Sequence, residues 1–442
     1  MKQVAQRVFR ETLAAIDIPA ALQRKLARSG SRISVGDARV DLRDFEKILA
    51  MAFGKASFAM AEGLTQVLAP EFRVEGILVP SAPPTRELDG WKIFIGGHPI
   101  PNAASFAAGR AILDRLAGCD DRTLIFFLIS GGGSSLVEFP LDPRITLEDF
   151  AKLHEALVTC GAPIHEINAI RKHLSATKGG RLAAAAPRST KLTLAISDVP
   201  RGDESALASG PTLPDPTTVL DAERIAAQYG LLPRLPASLR AAFENHSLRE
   251  TPKSGDPAFS RSYFELLLGL HDLMHAAHHA CEAEGYVCLC DNSTDNWPVE
   301  RAADYLLGLL QAQLQAEEKS SHARAVAVLA DGELSCPVTG NGLGGRNSAF
   351  VLACVPKIAG KKIAAFSGGT DGIDGNSPAA GAVADGETLR RARALSLDPA
   401  EFHRRSDACS FFSRLGDAVV TGPTGNNLRD LRILLVHPGR QS

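Results

Sequence analysis

The chain has 442 residues, 45% of them hydrophobic and 22% charged, and its formal net charge is −2. This length exceeds what one ordinary hydrophobic core organises, so two or three domains are expected. The near-neutral balance excludes the bulk basic field that gathers nucleic acid or an anionic membrane.

The amino-terminal residues and the cysteines bear on the cellular location. The first residues lack the apolar centre of a signal peptide, and no apolar run reaches the ~18 residues needed to cross a bilayer. We therefore expect a cytoplasmic enzyme. Cys288 and Cys290 form a C-x-C pair with no second cysteine pair, which predicts buried, reduced thiols rather than a zinc site.

The first half of the chain alternates apolar runs with helical stretches. Apolar residues from Val4 to Ile16 recur at near-helical spacing, so the opening segment to Gly63 is predicted to be helical. This alternation predicts a mostly parallel sheet covered by helices on both faces. The predicted strands are Ile77–Val79, Trp91–Ile95, Leu124–Ile129 and Leu192–Ile196, and the predicted helices include Ala103–Ala117 and His165–Ala185.

A polar, frequently broken stretch runs from Ser247 to Ser260 and predicts a domain boundary. The first domain is accordingly placed at residues 1–246 and the second at 259–442. In this second α/β block, Ala325–Ala330 and Glu333–Val338 flank an Asp-Gly pair, which predicts a hairpin with a tight primed turn. A further strand, Lys362–Phe366, leads into a glycine-rich loop.

The loop after the strand Leu124–Ile129 contains three successive glycines. Such a loop lets backbone N–H groups approach a phosphate, with serine hydroxyls as further donors. A flexible tight turn is the alternative, but the position directly after a buried strand favours anion binding. The candidate ligands are Ser130, Gly131, Gly132, Gly133, Ser134 and Ser135.

Two acids follow the strand Leu192–Ile196. In an open α/β sheet, ligands bind at the carboxyl ends of the strands, where Asp198 would lie. Its carboxylate would take a hydroxyl proton or, like that of Asp203, hold Mg²⁺. A turn or helix-capping role is an equally good interpretation of Asp198.

Isolated basic residues carry less information. Arg171 and Lys178 are seven residues apart in one predicted helix, hence on one polar face, and a solvated charged face is the usual explanation. Lys55 follows a glycine after an apolar run, and by itself would be interpreted as surface charge.

The segment Gly340–Gly345 fits G-x-G-x-x-G, which alone is a weak dinucleotide signal. The strand before it is predicted to belong to a hairpin, and no acid follows at the place that a ribose requires. We therefore predict an anion-binding loop with Arg346 as a phosphate clamp. The loop's candidate ligands are Gly340, Asn341, Gly342, Gly344 and Gly345.

The loop from Gly368 to Gly375 places Asp371 and Asp374 among four glycines. A magnesium site and a structural turn are equally good interpretations. The P-loop motif and the H-R-D and D-F-G motifs of protein kinases are absent from the sequence. The residues by themselves thus lead to a phosphotransferase or a phosphate-ligand binder.

Taken in order, these loops resemble those of glycerate 2-kinases that carry a MOFRL domain. The match runs over nearly the whole chain. In the first domain it rests on Gly54-Lys55-Ala56, Gly97-His98-Pro99 with Pro101-Asn102, Ser130–Ser135, Asn168–Leu174 with Lys178–Leu182, and Ser197–Asp203 with Ser209–Thr212. In the second it rests on Thr339–Asn347, Gly368–Gly375 and Thr421–Gly425.

The resemblance implies two three-layer αβα domains, the first Rossmann-like and the second of MOFRL type with its core at about 323–432. It implies transfer of phosphate from ATP with Mg²⁺ to D-glycerate, giving 2-phosphoglycerate, in a cleft between the domains. Lys55 and Arg346 would act near the transferring phosphoryl group. Asn168, Arg171 and Lys178 would join the substrate site, and Asn347, Gly369 and Thr370 the nucleotide site.

Two departures from the family pattern are visible. Ser348-Ala349 stands where the family usually has Gln-Glu, and Ser406–Cys409 differs from the family's Asn-Asp-Ser/Ala-Tyr. Relatives are sometimes described as hydroxypyruvate reductases, so an NAD(P)H-dependent reductase is a second hypothesis. A non-catalytic sensor of a sugar phosphate or acid is a third. The protein could assemble as a homodimer, which the sequence by itself does not decide.

Overall fold

The structure is a computed structural model that describes residues 1–197, 199, 202–320, 323–426 and 428–438. Within these ranges, no helix combines the length and apolarity needed to span a bilayer. The chain forms two compact units, a central unit (Ile18–Leu267) and a terminal unit (Met1–Asp17 with Leu268–Ser442).

The helices and strands are named here in chain order. The helices are α1 (Lys2–Ala15), α2 (Ile18–Lys25), α3 (Ser57–Leu68), α4 (Ala103–Ala117), α5 (Gly133–Leu136), α6 (Leu147–Val158), α7 (Ile164–Leu174), α8 (Arg181–Ala184), α9 (Val219–Gln228), α10 (Ala237–Glu244), α11 (Leu270–Ala283), α12 (Val299–Glu317), α13 (Arg346–Ile358), α14 (Thr388–Ala394), α15 (Pro399–Arg404) and α16 (Ala408–Leu415). The strands are β1 (Ala27–Ser29), β2 (Arg32–Val35), β3 (Ala38–Asp41), β4 (Lys47–Phe53), β5 (Glu75–Val79), β6 (Trp91–Ile93), β7 (Thr123–Ile129), β8 (Thr190–Ile196), β9 (Ser262–Leu268), β10 (Val287–Asp291), β11 (Val326–Asp331), β12 (Ile363–Gly369), β13 (Gly381–Asp385), β14 (Ala418–Val419) and β15 (Asp430–Val436).

The units do not follow the predicted division into 1–246 and 259–442. Helix α1 packs in the terminal unit because its apolar face, including Val8 and Phe9, is buried there. The Phe9 ring lies 4.8 Å from that of Phe366, centroid to centroid. The Lys2 ammonium also donates to Asp417 at 2.9 Å. The segment up to Leu267 stays with the central unit and ends in β9, at the edge of its sheet.

The central unit contains a six-stranded sheet in the order β6-β5-β4-β7-β8-β9. The pairs from β6 through β8 are all parallel, as predicted. Every residue of β7 and β8 is buried, which is the pattern of a parallel strand covered on both faces. Successive strands extend the sheet from β4 in one direction and from β7 in the other, so the order reverses between β4 and β7. This reversal is where an open α/β sheet binds its ligand.

The terminal unit contains a mixed sheet in the order β10-β11-β15-β12-β13-β14. Strand β11 pairs with β10 in parallel and with β15 antiparallel. Because both its edges are occupied, the predicted hairpin partner Glu333–Val338 has no place beside it, and the hairpin prediction is wrong. Strand β10 lies at the sheet's edge; there Cys290 is exposed and Cys288 half-buried, so their predicted burial is also wrong, although all eight cysteines are free thiols.

Two helix predictions also need correction. The opening segment contains a small antiparallel sheet, β1-β2-β3, and the buried strand β4 as well as helices. The predicted helix His165–Ala185 ends at Leu174, and the chain turns through Gly179 and Gly180, both with positive φ. Lys178 therefore does not share a helix face with Arg171.

Candidate active site

Two predicted loops meet where the order of the central sheet reverses. The amide of Lys55, after β4, donates to the Gly131 carbonyl at 2.9 Å. The amide of Ala56 donates to the Ser130 hydroxyl at 3.0 Å. Gly54 has a φ of +122°, and a Cβ atom there would overlap Ser130. The contact thus requires glycine and holds Lys55 beside the glycine loop.

The glycine loop presents backbone amides. The chain enters α5 through Gly132, whose φ of +83° lies in the left-handed region. Among the residues that the structure describes, the amides of Gly131, Gly132 and Ser134 have no hydrogen-bond acceptor. Gly132 and Ser134 are also partly exposed. The amides of these two residues can meet an anion, and the phosphate-binding role of the loop stays a prediction.

A cavity of about 160 Å³ lies against this loop. It is smaller than the pockets that hold drug-sized ligands and suits a molecule of a few heavy atoms. Gly132, Ser134 and Ser135 form part of its wall, and Phe150 and Leu153 supply apolar surface. Its remaining polar lining includes His98, Glu138, His154 and Arg171.

The basic residues of this cavity have shifted proton affinities. Burial and the charge of Lys55 lower the pKa of His98. Burial, Arg171 and His98 lower the pKa of His154. Burial also lowers the pKa of Arg171, against the through-space attraction of Glu138. Both imidazoles are therefore harder to protonate than a free histidine, and Lys55 and Arg171 are the cationic side chains of this region.

Lys178 lies behind the cavity wall and is only 1% exposed. Its ammonium pairs with Glu138 at 2.7 Å and donates to the Val137 carbonyl at 3.3 Å. The expectation of a solvated charge is wrong, because this charge is buried and paired. Lys178 therefore anchors Glu138, which itself lines the cavity.

A short chain of hydrogen bonds supports the loop from the side. The Ser209 hydroxyl donates to Asn168 Oδ1 at 3.1 Å, and the Ser134 and Ser209 hydroxyl oxygens lie 2.8 Å apart. Since Ser209 donates its proton to Asn168, it accepts the proton of Ser134. Asn168 thus acts through Ser209 on the loop, and its predicted place in the substrate site is indirect.

Of the two acids predicted after β8, the structure describes only Asp203. Asp198 lies outside the described residues, so its assignment as base or metal ligand stays a prediction. Asp203 is exposed, and its carbonyl accepts from the Ala206 amide at 2.8 Å at the start of a short 3₁₀ turn.

In the loop Gly340–Gly345 of the terminal unit, most amides donate to neighbouring residues of the same unit. The Gly342 amide donates to the Arg405 carbonyl at 3.1 Å and the Gly344 amide to Asn376 at 2.9 Å. A Cβ atom at Gly340 would also overlap the Arg405 carbonyl, while Asn341 is exposed. The amides of Gly342 and Gly344 are therefore engaged within the unit, and the anion-binding role of this loop stays a prediction.

Asp374 caps helix α13. Its carboxylate accepts from the amides of Gly345, Asn347 and Ser348 at 3.1, 2.9 and 2.8 Å, and from the Ser348 hydroxyl at 2.6 Å. It is 1% exposed, and burial raises its pKa. These bonds use the lone pairs that a metal ligand needs. Ser348, one of the departures from the family pattern, takes part in this cap.

Arg346 begins α13 and is held by two acids. Its Nε lies 2.5 Å from Asp430 Oδ2, and a terminal nitrogen lies 2.8 Å from Glu333. Burial opposes its charge, but Asp430 and Glu333 raise its pKa above the ordinary value. The side chain remains about one-third exposed. The exposed part of this guanidinium still presents N–H donors to a phosphate, while Asp430 and Glu333 offset part of its charge.

The end of β12 combines a structural residue with an accessible acid. The Thr370 hydroxyl donates to the Arg429 carbonyl and accepts from the Leu428 amide, both at 2.8 Å, so Thr370 is held internally. Asn347 accepts from Ser367 at 2.5 Å and is buried. Asp371 is partly exposed, with one oxygen accepting from the Ile373 amide at 3.0 Å. The adjacent Gly369 is buried.

The described side chains can be examined for ligands of the predicted Mg²⁺. In the described ranges, no cluster of three or more His, Cys, Asp or Glu side chains could hold a metal. Mg²⁺ is commonly held by one or two carboxylates together with substrate phosphates, so a protein cage is not required. Asp371 fits that role better than the fully engaged Asp374.

Four residues of the site were absent from the predicted set. His98 and Ser209 lie in motifs that carried the resemblance, which was the signal available for them. His154 lies on the amphipathic helix α6 and Glu138 follows α5, and no local pattern distinguishes either. Their roles depend on contacts with residues far along the chain.

The comparisons with known proteins agree with this architecture. The family model described as Domain of unknown function (DUF4147) matches residues 4–244, and that of the MOFRL family matches residues 326–430. A protein from Agrobacterium vitis, provisionally named hydroxypyruvate reductase, is 35% identical over 98% of this chain and 94% of its own length. The glycerate 2-kinase of Pyrococcus horikoshii is 30% identical over 99% of this chain and 97% of its own length.

A solved structure shows the same fold. The crystal structure of the glycerate kinase from Thermotoga maritima aligns with a TM-score of 0.84 at 29% identity, covering 98% of this chain and 99% of that one. The two-domain α/β architecture predicted from the sequence is therefore confirmed.

Proposed function

The chain belongs to the glycerate kinase family in which a DUF4147 domain and a MOFRL domain share one polypeptide, and from this premise we propose that it phosphorylates D-glycerate. The reaction transfers the γ-phosphoryl group of ATP to the 2-hydroxyl and gives 2-phospho-D-glycerate. ATP and Mg²⁺ are part of the proposal. A cytoplasmic location, a homodimer and a reaction in a cleft between domains stay predictions.

The observation that supports the proposal best is the small cationic cavity of the central unit. A volume of about 160 Å³ admits a three-carbon acid. Arg171 faces this volume, and no described carboxylate lies within 4 Å of its guanidinium. A substrate carboxylate would supply the missing anion, and the Ser134 and Ser135 hydroxyls would meet its hydroxyl groups.

Phosphoryl transfer leaves the protein little covalent work, so positioning and charge stabilisation dominate. In the proposed reaction, Lys55 and Arg346 stabilise negative charge on the phosphate groups. The attacking hydroxyl must lose a proton, and Asp198 is the proposed acceptor. The glycine-loop amides add donors that need no reorganisation.

Asp371 would hold the magnesium ion, assisted by the phosphate oxygens of the nucleotide. When bound, the ion neutralises charge on the β- and γ-phosphates. Asp374 is given no part in this, because its lone pairs are engaged in capping α13.

Some relatives carry the name hydroxypyruvate reductase, so the test separates two chemistries. The purified protein is assayed for ATP-dependent formation of 2-phosphoglycerate from D-glycerate, and for NADH or NADPH oxidation with hydroxypyruvate. We expect the first activity, dependent on Mg²⁺, and not the second. Nicotinamide oxidation without ATP turnover would replace the proposal by the reductase, and binding without either turnover would favour a sensor.

A further inference from the structure

Helices α6 and α7 bring a histidine and an arginine together at the wall of the small cavity. His154 Nδ1 lies 2.7 Å from a terminal nitrogen of Arg171. A guanidinium only donates hydrogen bonds, so Nδ1 must be the acceptor and the ring proton must be on Nε2. Both side chains line the cavity. The imidazole is therefore neutral and in a defined tautomer while this bond exists.

This arrangement differs from the usual way of fixing a buried arginine. A guanidinium is commonly held by a carboxylate, which orients it and also neutralises it. Lys178, a few residues away, is held in that way by Glu138 at 2.7 Å. Glu138 acts on Arg171 only through space, and no described carboxylate lies within ion-pair distance of it. Arg171 is thus oriented by a neutral acceptor and has no direct ion-pair partner among the described residues.

We propose that His154 is a positioning residue that orients Arg171 for the carboxylate of the substrate without neutralising it. The inference rests on the proposed function, because the carboxylate is that of D-glycerate. It also makes position 154 a determinant of specificity. A neutral acceptor there selects anionic substrates, whereas an acid there would pair with Arg171 and exclude them.

Three substitutions separate orientation from charge. His154→Asn retains a neutral acceptor of short reach, and we expect the KM for D-glycerate to stay within about threefold of wild type. His154→Leu removes the acceptor, and the KM is expected to rise about ten- to a hundredfold, the range for a lost hydrogen bond to a charged group. His154→Asp retains an acceptor but adds a charge, and the rise is expected to be at least as large as in the Leu variant.

The readouts are the KM for D-glycerate, the KM for ATP and kcat, with melting temperatures of all proteins. Only the KM for D-glycerate should move strongly, because the pair is proposed to act on the substrate carboxylate. His165→Leu is the matched control, since His165 is exposed on the neighbouring α7 and should change none of these values. If the Leu variant does not fold, the Asn and Asp variants, both polar and small, still carry the comparison.

Failure of the inference and failure of the proposed function give different results. Equal KM values for D-glycerate in the Asn, Leu and Asp variants of an active enzyme would overturn the inference alone. If the wild-type protein does not phosphorylate D-glycerate, the proposed function fails. Calorimetric titration with D-glycerate and with glycerol, which lacks the carboxylate, then still tests the pair: carboxylate-dependent binding that the Asn variant keeps and the Asp variant loses supports it, and any other pattern overturns it.

Discussion

At the scale of single residues, three basic side chains show how surroundings determine a role. Lys178 is buried and paired with Glu138, so its charge is used within the fold. Arg171 faces a cavity and is oriented by a neutral imidazole. Arg346 is held by Asp430 and Glu333 but keeps exposed surface. The local sequence does not distinguish the roles of these three residues. Their roles differ because their partners lie at different positions in the fold.

Gly132 provides the first residue-scale prediction. A Cβ atom at this position would lie 3.1 Å from the His98 ring, at the cavity wall, and the φ of +83° adds strain. We expect Gly132→Ala to raise the KM for D-glycerate roughly tenfold, equivalent to ~1.4 kcal/mol. Gly161→Ala is the control, because Gly161 has a φ of +81° but open space around its Cβ position. Both variants should lose a similar ~1 kcal/mol of stability from the backbone strain. Equal KM changes in the two would show that strain, and not the cavity, is responsible.

Arg346 provides the second residue-scale prediction. A lysine cannot reproduce the planar fork that meets a phosphate, so Arg346→Lys is expected to lower kcat by ~10²-fold, as for loss of one transition-state donor. Arg429→Lys changes a similar ion pair, with Asp295 at 2.9 Å, and should affect stability more than turnover. Steady-state kinetics and thermal melting of both variants make the comparison. A wild-type kcat in Arg346→Lys would assign Arg346 to the fold of the terminal unit.

At the scale of elements, long and uniformly apolar or periodic segments were predictable. Helix α4 has the predicted bounds Ala103–Ala117, and β7 and β8 match their apolar runs within one or two residues. The strands β1–β3 were missed because each has only three or four residues and incomplete burial. Pairing of Lys178 with Glu138, 40 residues earlier, could not be inferred from local pattern.

The candidate site was predictable to the same extent. The loop after β7 could be placed because parallel strands end with their carboxyl ends at one edge of a sheet. Lys55, after β4, was placed only by the family resemblance, because the segment that forms β4 was predicted to be helical. The hairpin prediction failed because the partner of β11 is β15, about a hundred residues later in the chain. The glycine-rich loop before α13 has the composition of an anion site, yet Asp374 and Asn376 use its amides.

This cap leads to the element-scale prediction. Asp374→Asn keeps the size but weakens the acceptors that hold the start of α13, so a loss of ~1–3 kcal/mol in the free energy of unfolding is expected. The Mg²⁺ concentration that the Asp374→Asn enzyme requires for activity should equal that of wild type. Asp371→Asn should show the opposite behaviour, with a raised Mg²⁺ requirement and little change in stability. Activity is measured against Mg²⁺ concentration and unfolding by urea. If the Mg²⁺ requirement rises in Asp374→Asn alone, the metal ligand is Asp374 and not Asp371.

At the scale of the whole molecule, the two units are expected to differ in their response to acid. His98, His154 and His173 all belong to the central unit, and burial is the first cause that lowers each pKa below the ordinary 6.5. The unfolded chain therefore binds these protons more readily than the folded one, and stability is lost as the pH falls below 6.5. In the terminal unit, burial raises the pKa of Asp331 and Asp374. Their folded forms bind protons more readily than the unfolded chain, so acid acts in the opposite direction there.

The two tryptophans allow this difference to be measured, because Trp91 lies in the central unit and Trp297 in the terminal unit. Trp297→Phe and Trp91→Phe each leave one fluorescent probe, and urea unfolding is followed at about pH 7.5 and about pH 5.5. In the Trp91 signal we expect the free energy of unfolding to fall by on the order of 1 kcal/mol or more, since each tenfold difference in proton affinity between folded and unfolded states contributes about 1.4 kcal/mol. In the Trp297 signal it should be unchanged or rise.

A histidine outside the cavity tests the cause. His173 Nδ1 donates to the Ala169 carbonyl at 2.7 Å, and His173→Asn keeps a donor there while removing the titration. This variant should reduce the pH dependence seen by Trp91, whereas the exposed His246→Asn should leave it as in wild type. An equal loss of stability in both signals, or a pH dependence that His173→Asn does not alter, would mean that the buried histidines do not set the acid response of the central unit.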